Sequence, residues 1–371
     1  MTLAPSFARS LAQRAVTWPV TLYASKPESG VIDLAQSYLT EPPPSHVALA
    51  AGEALDKGAT HYVDRSGIKP LREAIVNLYE GRVSMDDIVV TSGAQEALFV
   101  TLRALLKPGD EVLVPDPGYW LIADTIRNAE GQTVFVPTAA DAFQLSAGRL
   151  EAHLTPRTRF IILFSPNPAT GLGISPTELA NILALAHQHN LIVILDEALS
   201  LSPQPISDES LIRIGSLSKH YRMSGWRMGW VSAKPEWLGP IRDLKQALSI
   251  CSPAVSQWAA VAALTGPRDW LTQQETDFAV RRDYALNALT RMGFAPIDSD
   301  ETYFLFVDVR STKLSSAGFV EFALREVQVR VMPGTHFGTE GEGWVRLSLN
   351  VPMEQLSVAL NRLGQVLSKR R

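Results

Sequence analysis

Six short apolar runs recur along the chain: IVV at 88, VLV at 112, TVFV at 133, FIILF at 160, LIVIL at 191 and LIRIGSL at 211. Segments with helical spacing separate them. The runs are mostly apolar rather than alternating, which marks strands covered on both faces, and the alternation with helices predicts parallel strands joined by crossover helices. MGWVSA at 228 follows only a short turn, so it is expected as one antiparallel strand at the end of that sheet. The expected class is therefore α/β, with a mostly parallel seven-stranded sheet flanked by helices.

Two intervening segments show how the helices begin and end. AQEALFVTLRALL repeats apolar residues at spacings of three and four, and KPGD then stops it. SPTELANILALAHQHN opens with a serine cap, Pro176 in the first turn and a glutamate three places on, a strong helix start. From about residue 270 a long charged helix runs through RRDYALNALTRM. After it, YFLFVDV, VRVMPG and WVRLSLN read as strands of a separate α+β unit.

A chain of 371 residues exceeds what one hydrophobic core usually supports, roughly 250–300 residues. We divide it into an N-terminal arm that forms part of a small domain (1–47), a large domain (48–284) and the rest of the small domain (285–371). EPPP at 41 reads as a rigid linker. The first 27 residues carry Arg9, Arg14 and Lys26 before any acid, as a transit peptide would. Trp18, Tyr23 and the prolines there favour an ordered arm packed on a neighbour.

Charge excludes several partners. There are 34 Lys and Arg against 38 Asp and Glu, a net of −4, and no basic run suits nucleic acid or anionic lipid. No apolar stretch approaches the roughly 20 residues that cross a bilayer. Cys251 is the sole cysteine, so no intrachain disulfide forms and a reducing compartment, the cytoplasm, is expected.

The chemistry centres on GSLSKHYRMSGWRMGW. An amine attacks a carbonyl only when unprotonated, so Lys219 would need burial or nearby charge to act. Arg227 offers a planar, two-toothed donor for phosphate, beside Ser216 and Ser218. A lysine among serines is more often a solvated surface group. VVTSGAQEALF is a strand, a turn and a helix start, whose first amides at Gly93, Ala94 and Gln95 point at any anion placed there, although such turns occur in every α/β fold. Asp196 ends the run LIVILD, where ligands of parallel sheets gather; a cap or a salt bridge is the ordinary alternative. Tyr119 in PDPGYW follows another strand end, where its ring could stack on a planar group or pack in the core.

HYVDRSGIKPLREAI, SGAQEAL, PDPGYW, SPNPATG, DEA, SLSKHYRMSGWRMGW, VMPGTHFG and WVRLSLN occur in an order that resembles the class I/II aminotransferases of fold type I. The likeness runs from about residue 30 to 350. It implies pyridoxal phosphate bound to Lys219 as a Schiff base, Asp196 against the pyridinium nitrogen, and the phosphate on Gly93, Ala94 and Gln95 with Ser216, Ser218 and Arg227. Tyr119 would stack on the ring. Arg346 would clamp the substrate carboxylate, with Tyr38 beside the substrate. Tyr62 would reach the phosphate site of the other subunit, which implies a homodimer. No metal is implied.

Two departures concern one atom of that cofactor. The family usually places a tyrosine three residues after the aspartate, and this chain has Leu199. It usually has asparagine directly before Pro-Thr-Gly, whereas SPNPATG leaves either Asn167 reaching from one residue earlier or Pro168 in its slot. Tyr221 or a serine could supply a hydroxyl instead. Near Gln36 and Ser37, where relatives often have glycine, larger side chains would narrow the pocket. Trp18, Tyr38, Trp120 and Tyr303 offer aromatic lining and lean the donor toward a neutral or aromatic side chain, though rings are mostly used for packing. The resemblance implies an aminotransferase moving an amino group from an L-amino acid to a 2-oxo acid. The alternatives are a β-eliminating carbon–sulfur lyase on the same scaffold, since a fold does not select the bond that breaks, or a non-catalytic protein that binds pyridoxal phosphate.

Overall fold

The computed structural model describes residues 29–299 and 302–368. The expected N-terminal arm, with Trp18 and Tyr23, lies outside the described residues. Seven strands form one sheet in the spatial order Ile88–Thr91, Gly229–Ser232, Leu211–Ser216, Ile192–Asp196, Thr158–Phe164, Glu111–Asp116 and Gln132–Pro137. All six apolar runs are strands of it.

The runs are apolar on both faces because alternate residues feed different cores. Val112, Val114, Phe160, Ile162 and Ile194 point toward the helix Ala94–Leu105. Leu113, Ile161, Leu163, Val193 and Leu195 point the other way, onto the helix Pro176–His189. A strand sandwiched between two helical layers has little room for polar residues, and the buried Arg213 of Leu211–Ser216 is accommodated by its ion pair with Glu197. The edge strand Gln132–Pro137 departs from this, and Phe135 is exposed.

Gly229–Ser232 is antiparallel to both of its neighbours. It does not end the sheet as its sequence position predicts. Ile88–Thr91 pairs along its outer side, so the antiparallel strand lies second from the edge. A short turn could establish its direction, but pairing with a strand far earlier in the chain decided its place.

Helix starts follow the local chemistry. The Ser175 hydroxyl accepts from the Glu178 amide at 3.2 Å. The Glu178 carboxylate accepts from the Ala147 amide at 2.6 Å, which ties this helix to the segment Ala147–Glu151.

A second, four-stranded antiparallel sheet has the order Met332–Pro333, Trp344–Ser348, Phe304–Asp308 and Ala295–Pro296. The two-residue strand Ile32–Asp33 pairs in parallel with Val329–Arg330, and Arg330 Nε donates to Asp33 Oδ1 at 3.0 Å. The helix Asp269–Met292 spans both regions. Its Leu271 packs with Val47, Leu71 and Ile75, whereas Phe278, Ala285 and Leu289 pack with Phe304 and Leu347. The cut drawn at 284 falls inside this continuous helix. Among the described residues, no helix is long and apolar enough to cross a membrane.

Candidate active site

The parallel strands end on one side of the sheet, and their carboxyl ends carry the groups that line a cavity of about 360 Å³. Asp196 closes Ile192–Asp196, Ser216 closes Leu211–Ser216, and Tyr119 stands three residues past Glu111–Asp116. Lys219 and Arg227 enter from the segment between Leu211–Ser216 and Gly229–Ser232. Arg346 enters from the strand Trp344–Ser348 of the second sheet.

Lys219 Nζ donates to the Ser37 carbonyl at 2.5 Å. Burial, followed by the charges of Arg346 and Arg227, pushes its ammonium down to about 8, against the opposing pull of Asp196. Burial pushes the Asp196 carboxyl up to about 6; the amide of Ala198, donating to Oδ1 at 2.9 Å, and the Lys219 charge work against it. Burial thus shifts an amine and an acid lining the same cavity each toward its neutral form.

A cup forms where Arg227 meets the start of the helix Ala94–Leu105. Gly93 has φ +88°, and a Cβ there would collide with the Arg227 guanidinium. Arg227 Nη2 donates to the Ser92 carbonyl at 3.0 Å and Nη1 to the Ser224 carbonyl at 2.9 Å. Ser216 and Ser218 share a hydroxyl–hydroxyl bond of 3.0 Å at the cavity wall. Ala94 and Gln95 line the same wall; the Gln95 amide donates to Thr125 Oγ1 at 2.9 Å, and its buried Oε1 has no partner among the described residues. First-turn amides have no acceptor within their own helix, so this cup is electropositive.

Tyr119 contributes a ring 6.1 Å from that of Phe164, and burial pushes its phenol up to about 12. Arg346 is buried, with its guanidinium carbon 4.0 Å from the Phe304 ring centre and 4.6 Å from that of Phe337. Its Nη1 donates to the Pro168 carbonyl at 2.7 Å, and burial pulls its pKa down to about 9. Tyr38, half exposed, stands at the rim.

Three expected site residues, Gly93, Asn167 and Tyr62, are not among the residues that line the cavity. Asn167 is buried in its own turn: Nδ2 donates to the Pro117 carbonyl at 2.9 Å, and Oδ1 accepts from the Ala169 and Thr170 amides at 2.8 and 3.3 Å. Pro168 faces the cavity instead, because the Asn167 amide is consumed in shaping the loop. Tyr62 is 79% exposed and has no place in the cavity of its own chain.

Leu199 lines the cavity and packs in the core with Leu34 and Leu39. Tyr221 does not replace its missing hydroxyl: it is buried edge-on to Trp270, ring centres 6.2 Å apart, away from the cavity.

Three contributors were not assigned from sequence. The Ser37 carbonyl holds Lys219. His336 stacks on Trp120, and Phe337 lies against Arg346. VMPGTHFG contains both of the latter residues, but nothing in its pattern says that the segment folds back over a strand end.

The model for aminotransferase class I and II matches residues 29–363. Aromatic-amino-acid aminotransferase 2 of Thermococcus litoralis is 32% identical over 348 residues, covering 88% of this chain and 89% of its own. An aspartate aminotransferase of Pyrococcus abyssi is 32% identical with the same coverage. The solved structure of an aromatic aminotransferase from Pyrococcus horikoshii superposes with a TM-score of 0.87 at 32% identity, covering 92% of this chain and 97% of that one. A family match over most of the chain, joined to an amine, an acid and an anion cup in one cavity, leads to one conclusion: the chain belongs to the class I and II aminotransferases, which are pyridoxal phosphate enzymes.

Proposed function

We propose that this enzyme exchanges the amino group of an L-amino acid with the oxo group of a 2-oxo acid, using Lys219 as both the cofactor's anchor and the proton carrier. The observation that carries the reading is the convergence of Lys219, Asp196, Arg227 and Arg346 on one cavity. The fit is chemical. Pyridoxal phosphate has an aldehyde, a ring nitrogen and a phosphate, and the cavity offers an amine, a carboxylate and an electropositive cup.

When bound, the cofactor supplies an aldehyde that condenses with amines and a ring that accepts the electron pair left on Cα. The residues do the rest. Lys219 Nζ, whose ammonium is shifted toward the neutral amine by burial, would hold the aldehyde and, when free, would carry the proton removed from Cα. Asp196 would supply negative charge for the ring nitrogen, and Tyr119 would offer its ring for packing against the cofactor. Arg346 would hold the α-carboxylate with two parallel donors and so orient the substrate. Gly93, Ala94 and Gln95 with Ser216, Ser218 and Arg227 would hold the phosphate.

We assign the active form as a homodimer in which Tyr62 reaches the partner's phosphate site. The exposed side chain of Tyr62 supports this, as do the exposed apolar groups Leu49, Leu55, Leu248, Ile250 and Trp258. We place the enzyme in the cytoplasm, supported by its single cysteine.

The test mixes cofactor-loaded protein with one amino donor at a time and no acceptor. A transaminase loses its yellow absorbance once, stoichiometrically, and releases a 2-oxo acid. Repeated turnover with ammonia release would establish the lyase instead. Lys219→Ala should abolish the donor-driven change; its survival would remove this assignment.

A further inference from the structure

We infer that Trp120 and His336 form the wall that receives the donor's side chain and that this wall selects a flat, uncharged aromatic ring over a carboxylate, an inference that rests on the aminotransferase reading above. The two rings come from distant parts of the chain. They stack with centres 5.1 Å apart and planes 30° from parallel, and both line the cavity that holds Lys219 and Arg346.

Backbone and carboxylate contacts hold the wall in place. The Gly118 amide donates to the Phe337 carbonyl at 2.8 Å. The Asp116 carboxylate accepts from Thr339 at its amide, 3.1 Å, and its hydroxyl, 2.8 Å, and from the Glu340 amide at 3.2 Å. The strand end before Trp120 is thereby clamped to the segment after His336. On either side, Tyr119 lies edge-on to Trp120 at 6.4 Å and Phe337 edge-on to His336 at 5.2 Å.

Charge argues in the same direction. The cations lining the cavity among the described residues are Lys219, Arg227 and Arg346, and each already has a role. Burial, then the charge of Arg346, pushes the His336 imidazolium down to about 4, so the ring facing the cavity is neutral at ordinary pH. A side-chain carboxylate placed here would lose water and meet no further countercharge from the described residues of its own chain. An aromatic ring would add a third member to an existing stack, and a neutral imidazole can still exchange one hydrogen bond with a phenol or an indole N–H.

The experiment titrates the cofactor-loaded protein calorimetrically with 3-phenylpropionate and with succinate. Each carries a carboxylate for Arg346 and neither has an amine, so binding is read without turnover. The wild type should bind 3-phenylpropionate at least about tenfold tighter than succinate. His336→Ala and Trp120→Leu should each weaken 3-phenylpropionate by about fivefold or more and leave succinate unchanged, while His336→Phe, which keeps the stack, retains the affinity. Equal or tighter binding of succinate by the wild type would overturn the inference. So would equal weakening of both ligands by the Trp120 and His336 variants, which would give these rings a packing role only. If instead the donor-only spectral test fails while the ring preference holds, the reaction assignment is at fault and the wall is not.

Discussion

The guanidinium of Arg346 donates to the Pro168 carbonyl at 2.7 Å while Phe304 and Phe337 cover its faces. The residue before Ala169-Thr170-Gly171 has no side-chain polar group, and its backbone oxygen orients the arginine fork. Two rings and one carbonyl leave the guanidinium little freedom.

Arg346→Lys keeps the charge but loses the planar fork. Steady-state kinetics with several donors should show kcat/KM reduced roughly 10–100-fold, the factor given by a lost charge-assisted hydrogen bond. The loss should be shared by all donors, because the α-carboxylate is common to them. A loss confined to one donor would place Arg346 at the side chain instead.

Asp196 makes a pH prediction for the cofactor-free protein. Its carboxyl is raised to about 6, so the folded chain keeps a proton that the unfolded chain gives up near pH 4. The stability it contributes is complete below about pH 4 and disappears as pH rises through about 6. Lys219, lowered to about 8, acts in another window: its contribution is full above about pH 10.4 and is lost as pH falls through about 8. Urea midpoints of wild type should therefore decline relative to Asp196→Asn between about pH 4 and pH 6. Parallel curves would mean that the acid is not desolvated.

Leu199 places a hydrocarbon where the family usually presents a phenol, and Tyr221 is committed elsewhere. Our hypothesis is that the cofactor's ring oxygen is consequently less stabilised as an anion, which keeps the adjoining nitrogen protonated to higher pH. Leu199→Tyr should lower the pH midpoint of the cofactor's absorbance change. Because Leu199 also packs on Leu34 and Leu39, the variant should lose about 1–3 kcal/mol to overpacking. Superimposable absorbance titrations would dispose of the idea.

Behind Asp196 lies a buried ion pair. Arg213 Nη1 donates to both oxygens of Glu197 at 2.9 and 2.8 Å; the Tyr79 hydroxyl donates to Glu197 at 3.4 Å and accepts from Trp230 Nε1 at 3.1 Å. Arg213→Met strands a buried carboxylate and should cost about 3–5 kcal/mol in urea unfolding. Adding Glu197→Gln should recover much of it. A cost under about 1 kcal/mol for the single variant would mean that water reaches Glu197.

The strands were legible because a strand buried on both faces is mostly apolar, so LIVIL and FIILF reveal their surroundings as well as their conformation. Lys219 and Arg227 were legible together because one short turn joins them. The antiparallel direction of Gly229–Ser232 followed from that turn, but its place in the sheet depended on Ile88–Thr91, which local sequence does not encode. Side-chain fate within SPNPATG was equally closed to pattern. Asn167 and Pro168 were both candidates until the bonds from Asn167 to Pro117, Ala169 and Thr170 occupied its amide.

The sequence by itself determined the layered α/β architecture and the family, since a strand's burial is written in its own residues and the order of short motifs can be read without knowing which distant surfaces meet. Only the tertiary structure decided that Ser37 meets Lys219, that Pro168 orients Arg346 and that Trp120 stacks on His336. Those contacts join segments far apart in the chain, and periodicity and spacing carry no information about which distant surfaces close on one another.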